Sequence, residues 1–269
     1  MAKKVFIGVG HGGKDSGAVG VNGIKEKDLN LAIAKACNEE LVRHGVKTKM
    51  SRTKDENDDL NEEIRECNAY APDLAIDIHN NAGGGDGVEA FYHYKGGISK
   101  TLAENVLAEI VKIGQNSRGA KTRKGADGRD YYGFIRMTNA PAVIVECAFV
   151  DNKTDIKIID TAAEQKKMGI AVAKGILKTL GIKYIEKAVS SAEPPKADGK
   201  EVKPTVSYFK KYTGDSVSIV NALKAVGAKS DFAYRSKIAK ANGITGYLGR
   251  AAQNTKMVTL LKKGKLKKP

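Results

Sequence analysis

The chain has 269 residues, of which 41% are hydrophobic and 29% charged, and a formal charge of +15. These are the proportions of a soluble globular protein, and the length suits one large domain with a small companion. No run approaches the roughly 18 apolar residues that cross a bilayer, which excludes membrane insertion. The apolar stretch after the basic start Met1-Ala2-Lys3-Lys4 is too short for the core of a signal peptide, so synthesis in the cytoplasm is expected.

In chain order, residues 1 to 184 alternate between strand and helix patterns. An apolar strand at 4–9 leads into a glycine-rich loop reaching Gly23. A helix at about 27–44 carries Leu29, Ile33, Cys37 and Leu41 at helical spacing and stops before Gly45. Val46–Met50 reads as a short strand. A helix at about 58–70 places Leu60, Ile64, Cys67 and Ala71 on one stripe. Strands at 73–79 and 87–94 flank the Gly83-Gly84-Gly85 loop. A helix at 98–114 turns Leu102, Val106 and Ile110 inward.

A basic loop, Arg118 to Lys124, comes next and reads as solvated. Strands are expected near 131–137 and at Ala142–Val145, and a last helix at about 161–180. The alternation specifies an α/β fold: an open, largely parallel twisted sheet flanked by helices. Cys37, Cys67 and Cys147 all fall on apolar faces, as buried free thiols do.

The pattern breaks at 185–204, a polar linker containing Ser190-Ser191 and Pro194-Pro195. Residues 205–269 form a small, mostly helical domain, with helices at Ser216–Val226, Asp231–Ala241 and Ala251–Lys263. Ser216 and Asp231 are the expected N-caps, and Gly227 and Gly243 the stops. Residues 185–269 hold 18 of the 46 basic residues but 6 of the 31 acidic ones. That imbalance is either a solvated surface or a docking surface for an anionic polymer.

Chemistry-bearing residues gather at strand ends, where ligand sites form in open α/β sheets. His11 follows the first strand and His79 ends the third. Glu26 opens the first helix, on the same sheet edge as the His11 loop. Zinc in a hydrolase takes three His or Asp/Glu ligands and leaves one position open; His11, Glu26 and His79 supply such a set. Glu146 follows the apolar run Ala142–Val145, where a carboxylate is costly to bury without a purpose. Beside a metal it is placed to act as general base and then general acid.

Each residue alone has a plainer reading: a turn histidine, a core histidine, a helix-start glutamate favoured by the dipole. Their convergence on one edge carries the chemical argument. His44 and His93 lack such partners and read as structural. Gly8-Val9-Gly10-His11-Gly12-Gly13 matches the dinucleotide fingerprint, but a loop follows it instead of a helix, and no acidic residue ends the second strand.

The chain resembles the zinc-dependent N-acetylmuramoyl-L-alanine amidases of the amidase type 3 class. The resemblance is carried by Gly10–Ala18, Lys25–Leu31, Ser51-Arg52-Thr53, Asp77–Ala82, Gly87–Tyr92 and Val145–Asn152, in order across about 150 residues. It implies a peptidoglycan hydrolase that cuts the amide between N-acetylmuramic acid and L-alanine, with Zn2+ on His11, Glu26 and His79 and Glu146 as the catalytic glutamate. Asp77 is a candidate partner behind His79, Asn81 a candidate substrate contact, and Arg52 is expected to brace the sheet edge through an ion pair.

The C-terminal domain resembles the wall-binding units of endolysins and autolysins, on Tyr212–Ile219 and Gly249–Lys256. The expected partners are peptidoglycan and its anionic wall polymers, with no nucleic acid. A phage or prophage endolysin, released at lysis, is the leading expectation. A host autolysin of the same activity, a zinc carboxypeptidase or other amidohydrolase on a similar fold, and a non-catalytic nucleic-acid binder are the rivals.

Overall fold

The computed structural model describes residues 2–186, 207–230, 232–244, 247, 249 and 251–269. The chain divides into two compact units, Met1–Val189 and Ser190–Pro269. Most of the expected linker, and the expected cap Asp231, lie outside the described residues.

The first unit is built on a six-stranded sheet. Its strands are β1 (Lys4–Val9), β2 (Lys47–Met50), β3 (Leu74–Asn81), β4 (Val88–Tyr92), β5 (Ser117–Lys121) and β6 (Ala142–Phe149), in the spatial order β2-β1-β3-β6-β4-β5. All neighbours are parallel except β4 and β6. The central strands are buried on both faces, which is why β1 and β6 read as nearly continuous apolar runs.

Side-chain alternation sorts that apolar content into two layers. Val5, Ile7, Val9, Ile76, Ile78 and Val145 pack in one layer with the helices α1 (Glu26–Arg43), α3 (Ile98–Val111) and α5 (Ala162–Thr179). Phe6, Ala75, Ala142 and Ile144 pack in the other with α2 (Leu60–Tyr70) and α4 (Gly133–Met137). Each such aliphatic side chain stabilises the fold by about 1.5–3 kcal/mol when fully buried.

Chain order and spatial order diverge at β1, which lies between β2 and β3. The connection through α1 covers one face and the connection through α2 the other. The carboxyl ends of β1 and β3 therefore bound the switch point where α/β sheets bind ligands. Within the helix layer, α5 approaches its neighbours at two glycines. A Cβ on Gly169 would stand 2.4 Å from the carbonyl oxygen of Ile33 in α1, and one on Gly175 would stand 2.5 Å from Val106 Cα in α3.

Several expectations are corrected. Residues 131–137 do not form a strand: 133–137 is the short helix α4. Phe134 and Ile135 are both buried on one apolar cluster, whereas a strand would send them to opposite faces. Half of the basic loop is the edge strand β5. β3 and β6 run past His79 and Glu146, so both residues lie inside their strands, with a register irregularity after His79. Leu60 is 46% exposed rather than buried, because it opens α2 beside a cleft. His93 lies just past β4 and not within it. The three cysteines are buried and free, as expected.

In the second unit, α6 (Ile219–Ala225), α7 (Phe232–Ala241) and α8 (Ala251–Lys262) surround a core that includes Phe209, Leu223, Ile238, Met257 and Leu261. Its ends are tied together by Phe209 N–H donating to Leu266 and Lys268 N–H donating to Ser207. The helix α6 begins after Ser218 rather than Ser216. Ser216 Oγ instead accepts from the Ser218 N–H. No described helix is long and apolar enough to cross a membrane.

The close approach at Gly169 makes a test of the helix layer. Gly169→Val forces the α1 backbone away from α5 and is expected to destabilise the protein by about 1–3 kcal/mol, measured by urea unfolding, even though Val has the higher helix propensity.

Candidate active site

The site lies at the carboxyl edge of β1, β3 and β6. The backbone makes room for it with small residues. A Cβ on Gly10 would stand 2.1–2.5 Å from the His79 ring, and one on Gly17 would meet both the His11 ring and Glu26 Oε2. His11 itself adopts a left-handed backbone at φ 63°. That conformation is uncommon outside glycine, and it turns the imidazole inward from the loop.

Glu26, only 4% exposed, is the junction. Its Oε2 lies 3.1 Å from His11 Nε2 and accepts from the Ala18 N–H. Its Oε1 lies 3.2 Å from His79 Nδ1 and accepts from the Asn80 N–H and the Asn30 amide. The two rings meet edge to face at 5.0 Å. Each imidazole is steered from behind: Asp15 Oδ2 is 2.8 Å from His11 Nδ1, and Asp77 Oδ2 is 3.1 Å from His79 Nε2. One donor atom from each of His11, Glu26 and His79 lies within 4.8 Å of the others. Two imidazole nitrogens and a carboxylate, oriented by outer carboxylates, form a donor set that fits a divalent cation of the zinc type.

The charges are mutually adjusted. Burial disfavours the Glu26 anion, but the flanking imidazoles outweigh it and hold the carboxyl far below its usual range. The hydrogen bond to Glu26, with Asp15 behind, raises His11. Burial opposes the charged form of His79, yet Asp77, Glu26 and Glu146 lift it well above its ordinary value.

Glu146 stands opposite His79 in the β3–β6 register and opposite Glu89 in the β6–β4 register. Burial, reinforced by the anions of Glu26, Asp77 and Glu89 against the pull of His79, pushes its carboxyl up to about 7. Its Oε2 is buried with no partner among the described residues. A carboxyl with that affinity for protons can exchange one near neutrality.

The other expected residues fall into place around these four. Asp77 backs His79. Asn81 donates its amide to Glu89 Oε1 at 2.9 Å. Arg52 is 2% exposed and does brace the sheet edge, but through carbonyl oxygens rather than an ion pair. It donates to Val9, Gly10, Lys27 and Lys54. His44 stacks on Tyr184, and His93 pairs with Asp130 at 3.1 Å; neither joins the cluster.

Sequence reading missed several participants. The buried pair Asn30 and Asn80 links α1 to β3, and Asn30 also donates to Gly10 O. Asn30, a polar residue on the apolar face of a helix and one turn past Glu26, was the available signal. Glu89 is buried and pairs with Arg118 and Lys121 of β5 at 2.8 and 2.5 Å. Tyr132, masked by the misread strand, lines a cleft of about 260 Å³ with His11, His79, Leu60 and Phe134. A larger hollow of about 360 Å³, beside Ile98 and Pro141, contains none of the four clustered residues.

Residues 5–178 match the family model for N-acetylmuramoyl-L-alanine amidase, Amidase_3. The endolysin of Bacillus phage SPP1 is 35% identical over 207 residues, which is 74% of this chain and 72% of the phage protein. Cwp6 from Clostridium difficile aligns at a TM-score of 0.66 and 40% identity, over 67% of this chain and 30% of Cwp6. The catalytic domain of CwlV, an N-acetylmuramoyl-L-alanine amidase from Bacillus (Paenibacillus) polymyxa var. colistinus, aligns at 0.61 and 28% identity, over 67% of this chain and 99% of CwlV.

Two outcomes test the scaffold around the site. Arg52→Met removes the side-chain donor to the carbonyls of Val9, Lys27 and Lys54, leaves Gly10 O with Asn30 alone, and is expected to cost about 2–4 kcal/mol in chemical denaturation. The second outcome concerns acid stability. Burial works against the Glu89 anion, but Lys121 and Arg118 hold its carboxyl below the ordinary range. Its stabilisation is therefore complete above the unfolded value of about 4.3 and fades as the pH falls through the lower folded value. Glu89→Gln should flatten the loss of melting temperature below about pH 5; equal slopes in both proteins would contradict it.

Proposed function

The chain belongs to the Amidase_3 family of N-acetylmuramoyl-L-alanine amidases, and from that premise we propose a zinc-dependent reaction on peptidoglycan with assigned residues. His11, Glu26 and His79 hold the ion, and Glu146 is the catalytic acid–base. The observation that carries this reading is the convergence of three donor atoms within 4.8 Å beside the half-buried Glu146 on the next strand, whose Oε2 has no partner among the described residues.

When bound, zinc supplies Lewis acidity toward the scissile carbonyl and makes water more acidic. The rest of the work falls to the protein. Glu146 takes the proton from the attacking water and returns it to the nitrogen that leaves as the L-alanine amine. A carboxyl raised to about 7 can do both near neutral pH. Asp15 and Asp77 fix which nitrogen each imidazole turns toward Glu26. Tyr132, Leu60 and Phe134 wall the cleft and limit water around the scissile bond.

The second unit is the wall-binding part in this reading. Its basic surface suits anionic wall polymers, and tethering raises the local concentration of the catalytic unit at its substrate. A phage or prophage endolysin, made in the bacterial cytoplasm and acting on the wall after release, is favoured by the likeness to the SPP1 endolysin.

The test is product analysis on purified peptidoglycan. New amino-terminal L-alanine on intact stem peptides is expected, with loss of activity on chelation and recovery with zinc. Glu146→Gln should lower the rate by about 10²–10⁴ while zinc content stays at one equivalent. A Glu146→Gln protein that lyses walls as fast as the parent would end the assignment of the acid–base. A chelator-insensitive, zinc-free enzyme would end that of the ligands.

A further inference from the structure

The floor of the same cleft holds carboxyl oxygens that the metal set leaves unused. Gly8, Asp77 and Ile144 lie side by side across β1, β3 and β6, one row in from His79 and Glu146. Glu63 reaches them from α2, and Asp58 from the loop before it. All but Gly8 line the cleft that contains His11 and His79. Glu63 and Asp77 are 6% and 3% exposed. Asp77 gives one oxygen to His79, but its Oδ1, like Glu63 Oε1, is buried with no hydrogen-bond partner among the described residues. The missing side chain of Gly8 is what lets the two carboxyls pack over β1: a Cβ there would stand 2.1 Å from Glu63 Oε1 and 2.7 Å from Asp77 Oδ1.

No lysine or arginine is among the described residues lining this cleft. Arg52, the nearby buried cation, donates to backbone carbonyls instead. The crowding shows in the carboxyls. Burial, then Asp77 and Asp58, pushes Glu63 well above its usual range, and burial lifts Asp58 to about 6. Buried acids without a counter-charge are costly, and a cationic guest removes that cost. Among the described residues, donor spacing suited to a metal ion occurs only at His11, Glu26 and His79. The looser acidic set suits a cation held by hydrogen bonds. Leu60, Tyr132, Phe134 and Ile144 provide an apolar wall beside it.

We propose that Asp58, Glu63 and Asp77 form a subsite for a primary ammonium group carried on a short apolar stem. This rests on the peptidoglycan reading above, which offers two sources of that chemistry. One is the α-ammonium of the L-alanine freed by the cut; the other is the side-chain amine of a diamino acid in the stem peptide.

The experiment is calorimetric binding of L-Ala-D-Glu-L-Lys to the full zinc-loaded chain, compared with its N-terminally acetylated and its lysine-acetylated forms. One acetylation is expected to weaken binding at least tenfold, and the position that does so names the source. In Glu63→Gln and Asp58→Asn the preference should fall below twofold with no loss of melting temperature; the second variant decides if the first fails to fold. Absence of binding, indifference to both acetylations, or a preference that survives in the folded variants overturns the subsite. Because binding is read without turnover, walls cut normally by a protein indifferent to acetylation would refute this subsite alone. Binding that discriminates amines in a protein unable to cut walls would refute the proposed function instead.

Discussion

Glu26 is a buried carboxylate whose contacts tie two other segments to α1. His11 and Ala18 come from the loop after β1, and His79 and Asn80 from β3. An anion removed from water at 4% exposure persists only when its lone pairs are filled and charge faces it. The two imidazoles and two backbone N–H groups meet that demand. The same contacts bring the ends of β1 and β3 together at the switch point of the sheet. The electrostatic requirement of one side chain and the geometry of the site are therefore a single constraint.

That constraint spreads outward through a polar layer laid over an apolar sheet. Asn30 and Asn80 fill the space between α1 and β3, and Arg52 fastens the carbonyls of Val9, Gly10 and Lys27. These groups replace the hydrogen bonds that irregular backbone loses on burial. The loop around His11 is thus held by donors from α1 and from the segment after β2, so its left-handed turn is over-determined rather than left to local preference. Rigid placement of the imidazole follows, which the proposed role of His11 as a ligand requires.

The antiparallel placement of β4 against β6 has a separate consequence. It sets Glu89 beside Glu146, and β5 then delivers Arg118 and Lys121 to neutralise Glu89. No lysine or arginine pairs with Glu146 among the described residues, burial outweighs the pull of His79, and its carboxyl rises while that of Glu89 falls. Two glutamates in neighbouring register positions thus acquire opposite proton affinities from their surroundings, one structural and one suited to proton transfer.

The α/β alternation, the helix spans of α1, α3 and α5, and the four residues His11, Glu26, His79 and Glu146 were legible in the chain. Hydrophobic period and glycine stops are local signals, and strand-end positions follow from them. Residues 131–137 were misread because a short apolar run has no period of its own, and only the shared cluster beneath Phe134 and Ile135 selects a helix. Glu63, Glu89 and Asn80 carry no local sign of burial, and Arg52 reads as an ion-pairing brace rather than a donor to carbonyls, since burial of a polar side chain depends on partners distant in sequence. Period and residue type are local, so the chain alone specifies the long helices, the central strands and the side chains available for chemistry, but not α4 or β5. Strand order, the spacing of the donor atoms, the split between Glu89 and Glu146 and the acidic floor beneath His79 were decided by tertiary structure, because each depends on what long-range packing removes from water.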